Sequence, residues 1–340
     1  MSDERKDGGQ GVSPSPCPPV SPSDSSPNLE VQLGPLRLKN PICTASGTFG
    51  YGLEFTDFVD LSRLGGICTK GLSLQPHAGN APPRICETPA GMLNAIGLQN
   101  VGIAVFLREK MPRLRDLRAT VIANVWGDVE EDYVAVVRAL EEAEGLAGIE
   151  LNISCPNVEK GGMLFGNSPQ ATASLVARVR VATRRPLLVK LSPNAPDIVL
   201  SARAAHESGA DVLSLVNTFV GMAIDPETAK PRLSFGTGGL SGPAIKPLAV
   251  RMVYQVARAL PGVPLMGIGG ISDLSDVLEF LAAGATAVQI GTANFKDPGV
   301  SGRLVDELAA YCRERETSVA NLVGRAHRHG ASRLEAGAEG

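Results

Sequence analysis

From residue 41 to residue 290, short apolar runs alternate with longer segments whose apolar residues recur at helical spacing, the pattern of repeated βα units around a parallel sheet. The runs are Pro41 to Ala45, Gly66 to Lys70, Thr120 to Asn124, Gly148 to Ile153, Leu187 to Leu191, Val212 to Asn217, Pro264 to Ile268 and Ala287 to Ile290. Helix ends are legible between them. Ser168 and Pro169 fit an N-cap and first helical position, Gly209 and Gly284 fit the residue just past a helix, and Leu274, Val277, Leu278 and Leu281 form one apolar stripe. The segments Ser208 to Val212 and Ala283 to Ala287 repeat one helix, Gly-Ala, strand arrangement. Eight such runs predict an α/β fold, a single closed (β/α)8 barrel over residues 29–326.

The flanks differ from this pattern. Residues 1–28 are rich in Ser, Pro and Gly, and hold only isolated Val12 and Val20 where a membrane anchor would pair apolar residues, so a disordered extension is expected. Residues 327–340 read as a polar tail. No apolar stretch approaches the roughly 18 residues of a membrane span. With 44% hydrophobic residues in 340, one core of barrel size is affordable, while a net charge of -3 gives no footprint for nucleic acid. The six cysteines are scattered without a C-x-x-C pair, which predicts a reducing, cytoplasmic setting and no metal site in this chain.

In such a barrel, chemistry sits at the C-terminal strand ends. Read in order, these carry Ser46, Lys70, Asn124, Asn152, Lys190, Asn217, Gly269-Gly270 and Gly291-Thr292. The fourth run leads into Asn152-Ile153-Ser154-Cys155-Pro156-Asn157, which places Cys155 as a candidate acid or base. Lysines and asparagines converging on one mouth suit a polar, planar ligand with several donors and acceptors. The glycines after runs seven and eight could simply turn the chain; occurring together there, they favour a phosphate held by backbone N–H groups.

The chain resembles the class 1 dihydroorotate dehydrogenases, most closely the class 1B catalytic subunit, over about Leu29 to Ala326. The resemblance is carried by Ala45 to Gly50, Thr69-Lys70-Gly71, Asn94 to Asn100, Asn152 to Asn157, Val189-Lys190-Leu191, Val216-Asn217-Thr218, Ser241-Gly242-Pro243 and Gly267 to Gly270. It implies FMN, with its phosphate at Gly242, Gly269, Gly270, Gly291 and Thr292 and its ring against Ser46, Lys70, Gly71, Asn124, Asn152, Lys190 and Val216. It implies a substrate held by Lys70, Asn94, Ala95, Ile96, Gly97, Leu98, Asn152, Asn217 and Thr218. Cys155 would take the C5 proton of dihydroorotate while hydride leaves C6 for flavin N5, and Lys190 would stabilise negative charge on the reduced ring. Glu159 to Gly166 reads as a lid.

The 1B branch, indicated by Ser46 to Gly52 and Asn94 to Gly102, implies a homodimer of catalytic subunits within a heterotetramer. Its partner subunit carries FAD and a [2Fe-2S] cluster and passes electrons to NAD. A fumarate-linked class 1A enzyme and a dihydropyrimidine dehydrogenase-type flavin barrel are the alternatives, and a Schiff-base role for Lys190 in an aldolase-type barrel is a third. Cys43, Cys68, Cys86 and Cys312 are expected to be buried hydrophobes, and His77, His206, His327 and His329 to be solvated.

Overall fold

The computed structural model describes residues 27–153 and 162–329. Eight parallel strands close into a barrel: β1 (Ile42–Thr44), β2 (Gly66–Cys68), β3 (Val121–Val125), β4 (Leu146–Asn152), β5 (Leu187–Lys190), β6 (Val212–Leu215), β7 (Leu265–Ile268) and β8 (Ala287–Ile290). Their order in space follows their order in the chain, and Val288 to Ile290 of β8 pair with Ile42 to Thr44 of β1 to close the ring. Each predicted strand is present, β8 with the expected ends and the other seven with one or both ends shifted by one or two residues.

The strands are apolar at nearly every position because both faces are covered. β3 is buried along its whole length, one face toward the barrel interior and the other toward the surrounding helices. The helix Glu130–Glu141 buries Tyr133, Val136, Val137 and Leu140, the spacing that keeps one stripe on the sheet. Caps fix where helices begin. Ser168 accepts from the Ala171 N–H ahead of Pro169–Ala182, and Asp197 accepts from the N–H groups of Val199 and Leu200. Gly284 ends Leu274–Ala283 at φ 117.

Two additions close the barrel's ends. The hairpin of Val31–Leu33 and Leu36–Leu38 plugs the N-terminal end: Gly34 lies against Asp211 and Val212 at the start of β6, and Leu36 lies near Gly148 in β4. At the opposite end stands a four-stranded antiparallel sheet, in the order Phe219–Gly221, Gly238–Ser241, Gly91–Asn94, Ile85–Thr88, built from insertions after β2 and β6.

Two expectations are corrected. Cys86 is only half-buried, because it lies in the outermost strand of that sheet, whereas Cys43, Cys68 and Cys312 are buried. His327 is not solvated: it stacks on Tyr254 with 4.2 Å between ring centroids, and its Nε2 lies 2.9 Å from the Ala283 carbonyl oxygen. The final helix, Arg325–His329, thus packs on the body. Of the predicted lid, Gly162–Asn167 is helical and residues 159–161 lie outside the described residues, as does Cys155. Among the described residues, no helix is long and apolar enough to cross a membrane, and no group of His, Cys, Asp and Glu could hold a metal ion.

Candidate active site

A cavity of about 370 Å³ opens at the C-terminal end of the barrel, roofed by the four-stranded sheet. Each barrel strand delivers a residue to it at or just past its end. β1 and β2 lead to Ser46 and to Lys70-Gly71, β3 and β4 contain Asn124 and Asn152, and β5 ends on Lys190. β6 leads to Val216, Asn217 and Thr218, β7 to Gly269-Gly270, and β8 to Gly291-Thr292. The peptide between Leu215 and Val216 is cis.

The side chains tie to one another across the mouth. The Lys190 ammonium, 5% exposed, donates from Nζ to Ser46 Oγ at 3.1 Å. Asn217 Nδ2 donates to Asn152 Oδ1 at 3.0 Å, and Asn217 Oδ1 accepts from the Thr218 N–H at 2.8 Å. These bonds settle which end of each amide faces which way. Lys70 sits near Arg84, and burial, followed by the Arg84 charge, holds its amine below the ordinary lysine range.

From the roof come Asn94, whose Nδ2 donates to the Gly239 carbonyl at 3.3 Å, and Ile96, Gly97 and Leu98. Gly97 and Leu98 both have positive φ, so the chain turns back there and lays successive backbone groups along the cavity. Ala95, also expected at the site, is fully buried beside Leu93 and Leu233 and does not line the cavity.

At the β7–β8 side the cavity wall is mostly backbone. Gly242 and Gly270 have φ 94 and 73, and a Cβ on Gly270 would lie 2.8 Å from the Gly242 carbonyl oxygen and 3.0 Å from the Lys246 nitrogen. Only glycine lets these segments approach so closely. The helix Lys246–Ala259 starts here without a side-chain cap, and Thr292 Oγ1 donates to Ser241 Oγ at 2.8 Å. A helix N-terminus with glycine-freed N–H groups beside two hydroxyls suits a phosphate.

On the β3 side of the cavity, one lining residue carries a polar atom with no partner among the described residues. Asn124 is fully buried, its Nδ2 is taken by Glu150, and its Oδ1 accepts no hydrogen bond from the described residues. That oxygen lies 3.1 Å from where a Cβ on Gly71 would be, so glycine leaves the space before it open. Buried acceptors are normally satisfied, and a ligand N–H would satisfy this one.

The sequence reading passed over the lining residues Arg84 and Met92, and gave Gln99 and Ser241, though inside motifs it quoted, no place at the site. Arg84 Nη2 donates to Gln99 Oε1 at 2.8 Å, which holds a second cation near Lys70. The reading also passed over Glu150, although a lone charge inside the apolar run Gly148 to Ile153 was a signal. Cys155 was placed by the sequence three residues beyond the end of β4.

Residues 28–311 match the family described as "Dihydroorotate dehydrogenase". A protein of Citrifermentans bemidjiense named "Dihydroorotate dehydrogenase B (NAD(+)), catalytic subunit" is 53% identical over 299 residues, 88% of this chain and 98% of that protein. One of the same name from Geobacter sulfurreducens is 55% identical over 285 residues, 84% of this chain and 93% of that protein. Among solved structures, dihydroorotate dehydrogenase from Eimeria tenella in complex with ferulenol superposes with a TM-score of 0.77 at 22% identity, covering 91% of each chain, a likeness of fold. With most of its length matched by the family and by relatives above half identity, the chain belongs to the dihydroorotate dehydrogenases.

Proposed function

We propose that this chain oxidises (S)-dihydroorotate to orotate with FMN, as the cytoplasmic catalytic subunit of an NAD-linked enzyme of pyrimidine biosynthesis. The observation that carries this reading is one cavity with two unlike ends: a glycine-lined backbone cradle at one, and asparagine amides with two cations at the other. The glycine cradle and the unpartnered Asn124 acceptor support FMN as its occupant. Gly242, Gly269, Gly270, Gly291 and Thr292 would hold its phosphate, while Ser46, Lys70, Gly71, Asn124, Asn152, Lys190 and Val216 would surround its ring. Asn124 Oδ1 offers the acceptor that a ring N–H requires. When bound, FMN supplies the acceptor for hydride from substrate C6.

The chain's own residues do the remaining work. Asn94, Asn152 and Asn217 present donors and acceptors to the pyrimidine edge, with Ile96, Gly97, Leu98 and Thr218 beside them. Lys70, with Arg84 close by, meets the substrate carboxylate. The Lys190 ammonium, held on Ser46, stands ready for negative charge that arrives with the hydride. Apolar lining from Met92 and Leu98 would help keep water from the reacting face. Cys155 is assigned as the base for the C5 proton from its position after β4. Its ordinary pKa of about 8.5 means that neighbouring cations would raise the reactive thiolate fraction.

The sequence holds no dinucleotide fingerprint, so electrons would reach NAD through a partner subunit bearing FAD and [2Fe-2S], in a heterotetramer around a homodimer of this chain. The naming of its relatives as catalytic subunits supports a partner. Anaerobic addition of dihydroorotate to the FMN-loaded chain tests the reading: the flavin absorbance should bleach, and NAD should be reduced only once the partner is added. FMN-loaded protein that dihydroorotate leaves yellow would refute it.

A further inference from the structure

Below the cavity floor, inside the barrel, lies a single carboxylate with every acceptor position engaged. Glu150 is fully buried. Its Oε1 accepts from Asn124 Nδ2 at 2.8 Å and Cys68 Sγ at 3.1 Å, and its Oε2 accepts from Ser214 Oγ at 2.8 Å and Gln289 Nε2 at 2.7 Å. The donors come from β3, β2, β6 and β8, so one side chain on β4 ties together strands from around the ring. A hydrophobic residue would fill the same space without needing four partners, and barrel interiors are usually packed with such residues.

The consequence lies in the amide above it. Because Glu150 Oε1 accepts, Asn124 must turn its nitrogen down and its oxygen up, and that oxygen is the unpartnered acceptor in front of Gly71. Without an acceptor below, the amide has no reason to prefer this orientation over its reverse, which would present a donor to the cavity. We propose that Glu150 is a positioning residue for the flavin, fixing the Asn124 amide so that its carbonyl oxygen faces the ring's N–H edge. This rests on FMN being the occupant of the cavity.

The test is titration of apoprotein with FMN, followed by flavin fluorescence, for wild type, Glu150→Gln and Glu150→Met, with thermal unfolding of each recorded in parallel. In E150Q the glutamine oxygen still accepts from Asn124, and its nitrogen is accommodated because Gln289 can turn its unpartnered Oε1 toward it. E150Q should therefore bind FMN within about 3-fold of wild type, while E150M, lacking any acceptor, should bind about 10-fold or more weakly, as for one lost buried hydrogen bond.

Equal affinity in wild type and E150M would overturn the proposal, as would E150Q losing as much as E150M, since charge and not amide orientation would then be what matters. Should E150M not fold, Asn124→Asp should weaken FMN binding by setting two carboxylates together, and the double variant N124D/E150Q should restore it by exchanging donor and acceptor. A double variant no better than N124D would equally overturn the proposal. Failure of wild-type apoprotein to bind FMN at all would instead sink the cofactor reading itself.

Discussion

Replacing Gly270 by alanine separates the phosphate cradle from ordinary turn chemistry. At φ 73, an added Cβ is in the left-handed region and meets the Gly242 carbonyl oxygen at 2.8 Å, Lys246 Cβ at 2.9 Å and the Lys246 nitrogen at 3.0 Å. The left-handed backbone costs about 1 kcal/mol for a residue with a side chain. Contacts this short against backbone add about 2 kcal/mol, because neither Gly242 nor the first turn of Lys246–Ala259 can yield without moving. The sum, about 3 kcal/mol, predicts a melting temperature lower by about 5 °C, at roughly 1.6 °C per kcal/mol for a domain of about 300 residues.

Gly262→Ala supplies the control. Its φ is 85, yet an added Cβ has nothing within 4 Å, so only the backbone term applies, and the expected drop is about 1.6 °C. The two variants should part company in FMN titration. G270A pushes apart the segments that would hold the phosphate and should raise the FMN Kd about 30-fold or more, the equivalent of about 2 kcal/mol, whereas G262A should leave it unchanged. Differential scanning fluorimetry and fluorescence titration read both quantities. A G270A protein that binds FMN like wild type would refute the placement of the phosphate between Gly242 and Gly270.

Cys155→Ala should retain FMN while its anaerobic reduction by dihydroorotate, followed by stopped-flow absorbance, slows by about 10²-fold or more; Cys155→Ser should keep part of the rate, shifted to higher pH. Asn217→Leu removes the donor to Asn152 Oδ1 and should weaken orotate binding about 10-fold by calorimetry, with FMN affinity held. Lys70 binds its proton less readily in the folded chain than at its ordinary 10.5, so between its lowered folded value and 10.5 the unfolded chain holds the extra proton and stability rises with pH. Urea unfolding from pH 7 to pH 10 should show that Lys70→Met removes this component of the rise; a parallel dependence in both proteins would contradict the assignment.

The barrel was legible because its signal is redundant. Runs such as Thr120 to Asn124 are buried on both faces, and eight of them at regular spacing leave few other solutions. That the strand-end residues line the cavity was legible for the same reason, since the fold itself says which positions face the mouth. The roof was not. Ile85–Thr88 is exposed or half-buried at alternate positions, Gly91–Asn94 begins with a glycine, and the turn between them, Pro89-Ala90, lacks the usual hairpin pair. Arg84 and Met92 were therefore invisible as cavity residues. His327 failed differently: a histidine at the edge of a polar tail looks solvated until its stacking partner, Tyr254 on a distant helix, is known.

The sequential order of the barrel bears on how the molecule comes into being. β8 closes the ring against β1, almost the full length of the barrel sequence away, and Gln289 on that last strand is one of the four donors under the site. No early fragment of the chain contains the whole pocket, since each strand adds its own share and the final share arrives with β8. Contacts this remote in sequence make for slow folding. A nascent or truncated chain that stops before Ala287 should thus bind no cofactor, so the cofactor can reward only completed molecules and cannot guide early steps of folding.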